Sequence, residues 1–440
     1  MTSMATPTWQ KLIWVVMFMV VCEGAVRKWI FPGLQAEVYF AKDVVLIFAY
    51  VGFISSHLSP GVHLRATAGL RVLLLCSLVY FSIQLINPNS PSLILSIVGF
   101  KNYLLYTPLA FIVPYMFSSS EDLQRKLRIY AIVMLPFAGL GLVQFSFDPN
   151  HWINGYLSHD SEELRIASIF GSAAMEKART TGTFSYIGGY TTFLSVMFCV
   201  GAGLCAGERW RISASRWPLA LVVIVIAAMF TTGSRGPIYG LMLTCPLVLY
   251  IWASSGLMTA QSILQMGLAC VAMYMIIAAI VPDAIEAYQF RTEHSDDPVE
   301  RVFSPFTELY EMAGQAPLLG TGMASTNAAA ITIMGTQDWW WLNGIFAEAE
   351  TARVLQETGV VGFVLVYAAR IWLLVRAITL GVQFKTPLYA AMSGLIAAFF
   401  AQYLVVIVIN NPTGGIYYWF AAGLLFAMYR LEVQGRTQRA

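Results

Sequence analysis

The stretch TFSYIGGYTTFLSVMFCVGAGLCA, residues 183–206, contains no Asp, Glu, Lys or Arg. It is as long as the roughly 20 apolar residues that a helix needs to cross a bilayer. The whole chain has the same character, because 58% of its 440 residues are hydrophobic, 11% are charged and the mean hydropathy is +0.66. A soluble chain of this length has more polar surface, so the sequence predicts a membrane protein.

Apolar stretches of similar length recur from one end of the chain to the other. We predict an all-α polytopic membrane protein, a single transmembrane domain over residues 1–440 with about twelve transmembrane helices. The predicted spans are 10–30, 36–54, 68–86, 101–117, 127–147, 183–206, 216–232, 237–254, 261–281, 354–376, 387–409 and 414–430. A short apolar piece at 91–101 is predicted to be interfacial or re-entrant.

Lys and Arg residues are unevenly divided between the two sides of this arrangement. The segments on the side of the two termini contain fifteen Lys and Arg residues, Arg370 among them, and only four acids. Because connecting segments rich in Lys and Arg stay in the cytoplasm, both termini are predicted to be cytoplasmic. The other side has a smaller loop at 148–182 and a large loop at 282–353, between spans nine and ten. The large loop is too long to be only a connector, so function is expected there.

Composition and motifs exclude several function classes. A net charge of +2 argues against a nucleic-acid binder. The sequence has no glycine loop of the nucleotide-binding kinds and no Cys/His cluster with metal-ligand spacing, so neither a cofactor nor a metal is expected. The six cysteines lie in apolar segments or at their ends, which indicates no disulfide framework.

Arginines in the external segments are the first candidate site residues. Arg235 lies in TTGSRGP, a short turn in which Gly233 and Gly236 let backbone N–H groups converge on an anion. A guanidinium there can bind phosphate through two hydrogen bonds, and a tight turn with a snorkelling arginine is the alternative. Arg179 precedes the sixth span in EKARTTGTFSY.

Further charged residues have both structural and functional explanations. Arg291 and Arg301 lie among acids in the large loop, where surface ion pairing is the common role. Lys42 and Asp43 are unusual inside the second span, although adjacent opposite charges near its outer end can simply pair or snorkel.

The segment FAEAETARVLQETGVVGF, residues 346–363, runs from the large loop into the tenth span. Helical spacing puts Glu350, Arg353 and Glu357 on one face, which suits an ion-pair ladder. Glu348 is predicted to lie on the opposite face, towards apolar surroundings at the membrane boundary. Apolar surroundings make a carboxylate a better acceptor for a hydroxyl proton. A solvated glutamate at a helix N-terminus is the alternative.

A succession of short motifs resembles the O-antigen ligase and O-antigen polymerase superfamily. The motifs are TGSRG at 232–236, Arg301 followed by PLLGTGMAS at 317–325, ETGVVGF at 357–363 and NNPTGG at 410–415. EGAVRKWIFPG at 23–33 and YFAKD at 39–43 also resemble a subgroup of exopolysaccharide or O-antigen polymerases. The similarity in the span pattern extends along the whole chain.

The resemblance implies a lipid-dependent glycosyltransferase of GT-C-like architecture in the bacterial inner membrane, with a periplasmic active site. Such an enzyme polymerises undecaprenyl-pyrophosphate-linked repeats into O-antigen or exopolysaccharide, with inversion and without a metal. Ligation of the lipid-linked glycan to lipid A core or another acceptor is the alternative. Implied partners are the lipid-linked donor, a glycan or lipid-linked acceptor, membrane lipids and other polysaccharide export proteins. A lipid-linked sugar flippase or transporter also suits twelve spans, but rarely needs such a loop.

The resemblance also implies roles for individual residues. In ligases of this family a histidine lies nine residues before the glutamate of the ETG motif, and here that position holds Glu348. Glu348 is therefore the implied base, with Arg235 and Arg301 as the cations that stabilise the pyrophosphate leaving group. Substrate-binding roles are predicted for Arg179, Arg291, Arg353, Glu350 and Trp340. Trp340 belongs to a run of three tryptophans, for which interfacial anchoring is the alternative.

Overall fold

The structure is a computed structural model that describes residues 7–56, 65–157, 164–165, 168–171, 176–208, 212–293, 298–336 and 348–437. Within these ranges the side chains of residues 65, 156–157, 164–165, 212–216, 260, 262, 269, 291–292, 298–302 and 437 are not described. The α-helices are α1 (Thr8–Ala25), α2 (Gln35–Ser56), α3 (Ala68–Gln84), α4 (Leu93–Leu104), α5 (Leu109–Ile112), α6 (Ser120–Phe145), α7 (Ile187–Gly207), α8 (Ile212–Thr231), α9 (Gly236–Ser254), α10 (Ala260–Ile280), α11 (Pro282–Glu293), α12 (Pro298–Ala313), α13 (Ala329–Met334), α14 (Glu350–Gln383), α15 (Pro387–Gln402) and α16 (Pro412–Thr437).

Short elements connect the helices. A π-helix (Val26–Ile30) continues α1, and 3-10 turns occupy Pro32–Leu34, Arg65–Thr67, Val113–Met116 and Trp152–Asn154. The loop at 148–182 contains two antiparallel pairs of two-residue strands. Strand β1 (Tyr156–Leu157) pairs with β2 (Leu164–Arg165), and β3 (Ile169–Phe170) pairs with β4 (Lys177–Ala178).

Helices occupy every position at which the sequence predicts a span. By length and composition, eight segments in the described part of the chain can cross a bilayer: Thr8–Ile30, Pro32–Ser56, Leu93–Met116, Ser120–Phe145, Ile187–Gly207, Gly236–Ser254, Ile263–Ile280 and Glu350–Gln383. Shorter apolar helices (Ala68–Gln84, Trp217–Thr231 and Pro387–Gln402) and α16 occupy the remaining positions. The all-α polytopic membrane class is therefore confirmed. The count of twelve crossings and the GT-C-like architecture remain predictions.

The core of the bundle is built around α7 and α15. Every residue of α15 from Leu388 to Phe400 is buried. Small residues of α7 let the two helices approach closely, because a Cβ at Gly203 would collide with the sulfur of Met392. By contrast, α2 and α10 expose most of their apolar side chains, as expected for helices that face lipid.

The predicted fourth span is a broken helix. It consists of α4, α5 and the 3-10 turn Val113–Met116, with Pro108 and Pro114 at the breaks, where proline removes a backbone donor. The apolar piece at 91–101 belongs to α4 and continues into this span. The piece is therefore not separate from the fourth span, and its interfacial or re-entrant position remains a prediction.

The predicted tenth span, 354–376, is not one straight helix. Arg370 Nη2 lies 2.6 Å from Glu350 Oε1, although twenty residues of straight helix would extend about 30 Å. The chain reverses at Gly359, whose backbone (φ 65°, ψ −175°) is left-handed. Consequently Arg370 is buried beside Glu350, and its assignment to a cytoplasmic segment is wrong.

We expect Gly359→Ala to destabilise the fold. A side chain at positive φ is strained by about 1–3 kcal/mol, and a Cβ there would also collide with the carbonyl group of Leu318. The melting temperature in detergent should fall clearly below that of Gly267→Ala, a matched change on α10 where a Cβ meets nothing within 4 Å. Equal melting temperatures for the two variants would contradict the reversal.

Candidate functional site

The loops at 148–182 and 282–353 meet at one end of the helix bundle, which we call the loop end. Lys177 Nζ on β4 lies 2.9 Å from Asp283 Oδ2 at the start of α11. Of the residues that the sequence singles out as functional, those that the structure describes lie on segments that converge here, so the loop end is the candidate site.

Two of the quoted motifs, PLLGTGMAS and ETGVVGF, cross each other at the loop end. The N–H of Thr321 donates to the carbonyl of Gln356 (2.7 Å), and the N–H of Gly322 donates to that of Glu357 (3.1 Å). A Cβ at Gly320 would collide with the backbone of Glu357. The glycine in PLLGTGMAS is therefore needed for the close approach to the ETG motif.

Glu357 is a buried carboxylate whose two oxygens are occupied by hydrogen bonds. Oε2 accepts from the Tyr103 hydroxyl (2.8 Å), and Oε1 accepts from the Thr326 hydroxyl (2.6 Å) and N–H (3.2 Å). A fourth donor is Asn410 Nδ2, at 3.4 Å. Glu357 thus joins α4, the 282–353 loop and the NNPTGG turn, and it acts as a positioning residue.

Glu350 is also buried. It connects the two parts of α14 on either side of Gly359 with the residues just before the NNPTGG turn. Besides Arg370, Oε1 accepts the backbone N–H groups of Val408 and Ile409, both at 3.1 Å. Glu350 is thus bound to Arg370, whereas Glu357 is bound to hydroxyl and amide groups. These two carboxylates are therefore not held by the ion-pair ladder with Arg353 that the sequence predicts along one helical face.

Glu348, the predicted base, lies just before α14 begins and is exposed. The Glu308 carboxylate accepts the backbone N–H groups of Glu348 (2.7 Å) and Ala349 (2.8 Å), so it holds the chain just before α14 begins. Glu348 therefore has a charged neighbour and does not lie on the helix, so the expectation of a helical position is wrong. The expectation of apolar surroundings at the membrane boundary remains a prediction. Its catalytic role remains a prediction.

The TGSRG turn and Arg179 come together from separate segments. Arg179 Nε donates to the carbonyl of Thr232 (3.1 Å), and the N–H of Thr180 donates to that of Thr231 (3.1 Å). Arg235 is buried and immediately precedes α9, whose N-terminus carries a partial positive charge. Guanidinium groups and a helix N-terminus are both suited to bind an anion.

The stretch TTGTFSY, which we call segment 180–186, is also contacted from the first helix. Lys28 Nζ donates to the Thr181 hydroxyl and to the Gly182 carbonyl, each at 3.0 Å. Arg27 Nη1 donates to the Ser185 hydroxyl (3.4 Å). Arg27 and Lys28 are not among the residues predicted to be functional, although two adjacent basic residues at the end of an apolar span, in EGAVRK, indicate a special role.

The other end of segment 180–186 contacts the NNPTGG turn. The Tyr186 hydroxyl donates to Asn411 Oδ1 (2.9 Å), and Asn411 Nδ2 donates to the Thr192 hydroxyl of α7 (3.2 Å). Asn410, the next residue towards the N-terminus, binds Glu357. The NNPTGG turn therefore links the ETG motif to the arginine-bearing segments.

The remaining predicted site residues are placed as follows. Arg353 is half-buried on α14. Arg291 lies on α11 and Arg301 on α12, with their side chains undescribed, and Trp340 lies outside the described residues. In the described ranges, no group of three His, Cys, Asp or Glu side chains is placed to hold a metal ion.

Residues 220–367 match the family model described as O-antigen ligase. This part of the chain is therefore similar to O-antigen ligases. The predicted resemblance is thereby confirmed, and the matched stretch extends from within α8 to within α14, including Arg235 and Glu357. Proteins of this family are membrane enzymes of the glycosyltransferase type that use lipid-linked glycans. No curated protein matches the sequence.

We expect Glu350→Gln to destabilise the protein by about 3–5 kcal/mol, because it leaves the buried Arg370 guanidinium without its anion. The double variant Glu350→Gln with Arg370→Gln should recover part of that loss, because no buried charge remains. Melting temperatures of the purified variants test this. A Glu350→Gln protein that is as stable as wild type but inactive would instead indicate that Glu350 takes part in catalysis.

Proposed function

We propose that the chain is a glycosyltransferase that polymerises undecaprenyl-pyrophosphate-linked oligosaccharide repeats into O-antigen or exopolysaccharide. It would act on the periplasmic face of the inner membrane, with both termini in the cytoplasm. The observation that carries the proposal is the approach of Arg179 to the buried Arg235 turn at the N-terminus of α9, inside or beside the stretch that matches the O-antigen ligase family model.

The proposed reaction is a displacement at the anomeric carbon. The bond between that carbon and the pyrophosphate oxygen breaks, and the pyrophosphate leaves with the bonding electrons. An acceptor hydroxyl oxygen attacks from the opposite face, which inverts the configuration, and its proton passes to Glu348. Arg235 and Arg301, together with the N-terminus of α9, stabilise the charge of the leaving group, so the reaction needs no metal.

The hydrogen bonds at the loop end support Glu348 as the base in preference to its neighbours. Glu357 accepts four hydrogen bonds from the protein. Glu350 has one oxygen occupied by Arg370 and two backbone donors. Glu348 is exposed, so of the three carboxylates it is the most accessible to a substrate hydroxyl.

Ligation is the second candidate, since the matching family model is described as O-antigen ligase. The acceptor would then be lipid A core or another molecule in place of a lipid-linked repeat. The carboxylate at position 348, where ligases of this family have a histidine, favours polymerisation.

We expect Arg235→Ala, Arg301→Ala and Glu348→Gln each to abolish formation of long glycan without lowering the amount of protein in the membrane. The first two remove cations from the leaving group, and the third removes the proton acceptor. Arg125→Ala and Glu121→Gln, which change exposed residues of α6 away from the proposed chemistry, are the matched controls. Near-normal glycan in the Glu348→Gln strain would exclude the proposed base.

Deletion of the gene distinguishes the two acceptors. A polymerase mutant should lose long chains while single repeats are still attached to the final acceptor. Accumulation of long chains on the lipid carrier, seen by gel analysis of the glycans, would instead indicate a ligase.

A further inference from the structure

One aromatic ring near the loop end is surrounded by cations. Lys42 Nζ lies 4.1 Å, Lys101 Nζ 4.5 Å and Arg27 Cζ 5.7 Å from the centroid of the Tyr39 ring. The three cations come from α2, α4 and the π-helix that follows α1. We call these four residues the Tyr39 cluster. Cations held this close repel one another unless anions compensate for them.

Among the described residues, carboxylates compensate for only part of this charge. Lys42 Nζ is 2.7 Å from Glu23 Oε2, and Lys101 Nζ is 2.7 Å from Asp43 Oδ2. Arg27 is left at 4.0 Å from Glu23, and its buried Nε has no hydrogen-bond partner. Three cations therefore share two carboxylates.

Lys28 follows Arg27 in the chain and, like Arg27, contacts segment 180–186. Its side chain is only 2% exposed, and the hydrogen bonds of its ammonium group are to an uncharged hydroxyl and a carbonyl. A buried ammonium group without an anion is costly. A bound anion next to Arg27 and Lys28 would lower this cost.

The cluster lies directly behind a surface that faces lipid. Side chains of α2 that follow one another at helical spacing are exposed and apolar: Phe40, Val44, Ile47, Phe48 and Val51. The connection between α1 and α2 also exposes Ile30, Phe31 and Leu34. A ligand with an anionic head and a long apolar tail would match both features, with its head at the cluster and its tail along α2.

We propose that the Tyr39 cluster and Lys28 bind the pyrophosphate of a second polyprenyl-linked saccharide, the acceptor. This inference rests on the proposed polymerisation, which needs two lipid-linked substrates. Arg179 and Arg235 hold the donor on the α8 side of segment 180–186, whereas Arg27 and Lys28 contact that segment from α1. The acceptor pyrophosphate does not react, so it needs only to be held.

The test is to count the copies of undecaprenyl pyrophosphate bound to the purified full-length chain by native mass spectrometry. Arg27→Gln is the preferred variant, because substitution of Lys42 or Lys101 would leave Glu23 or Asp43 unpaired. We expect two copies on wild type and on the control Arg125→Gln, and at least a roughly tenfold weaker second site in Arg27→Gln. Lys28→Gln gives an independent test at the same site.

Two results would overturn the inference. One is a pair of variants, Arg27→Gln and Lys28→Gln, that bind two copies as tightly as wild type. The other is displacement of the second copy by an equal concentration of phosphatidylglycerol, which would indicate a general site for anionic lipid. Glycan analysis separates these failures from failure of the proposed function. If the chain has one binding site for undecaprenyl pyrophosphate but still makes polymer, only the acceptor site is refuted. If it has two binding sites but makes no polymer, only the proposed polymerase activity is refuted.

Discussion

The buried ion pair between Glu350 and Arg370 is the interaction on which the rest of the loop end depends. It closes the reversal of α14 at Gly359, and the same carboxylate oxygen binds the backbone before Asn410. Asn410 in turn binds Glu357, and Asn411 binds Tyr186 of segment 180–186. One desolvated carboxylate therefore fixes the ETG motif relative to the NNPTGG turn and, through Asn411, to segment 180–186.

Polar groups in a bilayer need partners within the protein, because hydrocarbon supplies none. Glu357 meets this requirement at both oxygens with hydroxyl, amide and backbone donors, and Glu350 meets it at Oε1 with a guanidinium and two backbone N–H groups. Among the described residues, Lys28 near segment 180–186 has only uncharged hydrogen-bond partners, and the Arg27 Nε has none. An anionic ligand beside this segment would therefore stabilise both cations.

Hydropathy and motif order predicted the membrane class, the positions of the helices and the O-antigen ligase resemblance. They did not predict the reversal at Gly359, because the residues on both sides of that glycine are helical and the sequence after it is apolar. The positive-inside count misassigned Arg370 for the same reason, since its partner Glu350 is twenty residues away in sequence. Glu348 was expected on a helix that begins only at Glu350. The convergence of Arg27, Lys42 and Lys101 on Tyr39 depends on packing between three segments, which no local pattern encodes.

Glycosyl transfer by the isolated protein is the most direct test of this account. The purified chain is incubated with undecaprenyl-pyrophosphate-linked repeats and EDTA, and both the product length and the released undecaprenyl pyrophosphate are measured. The account predicts oligomers of the repeat, with one undecaprenyl pyrophosphate released for each new linkage. Intact substrate with no release, under conditions in which the protein is folded and binds the substrate, would contradict it.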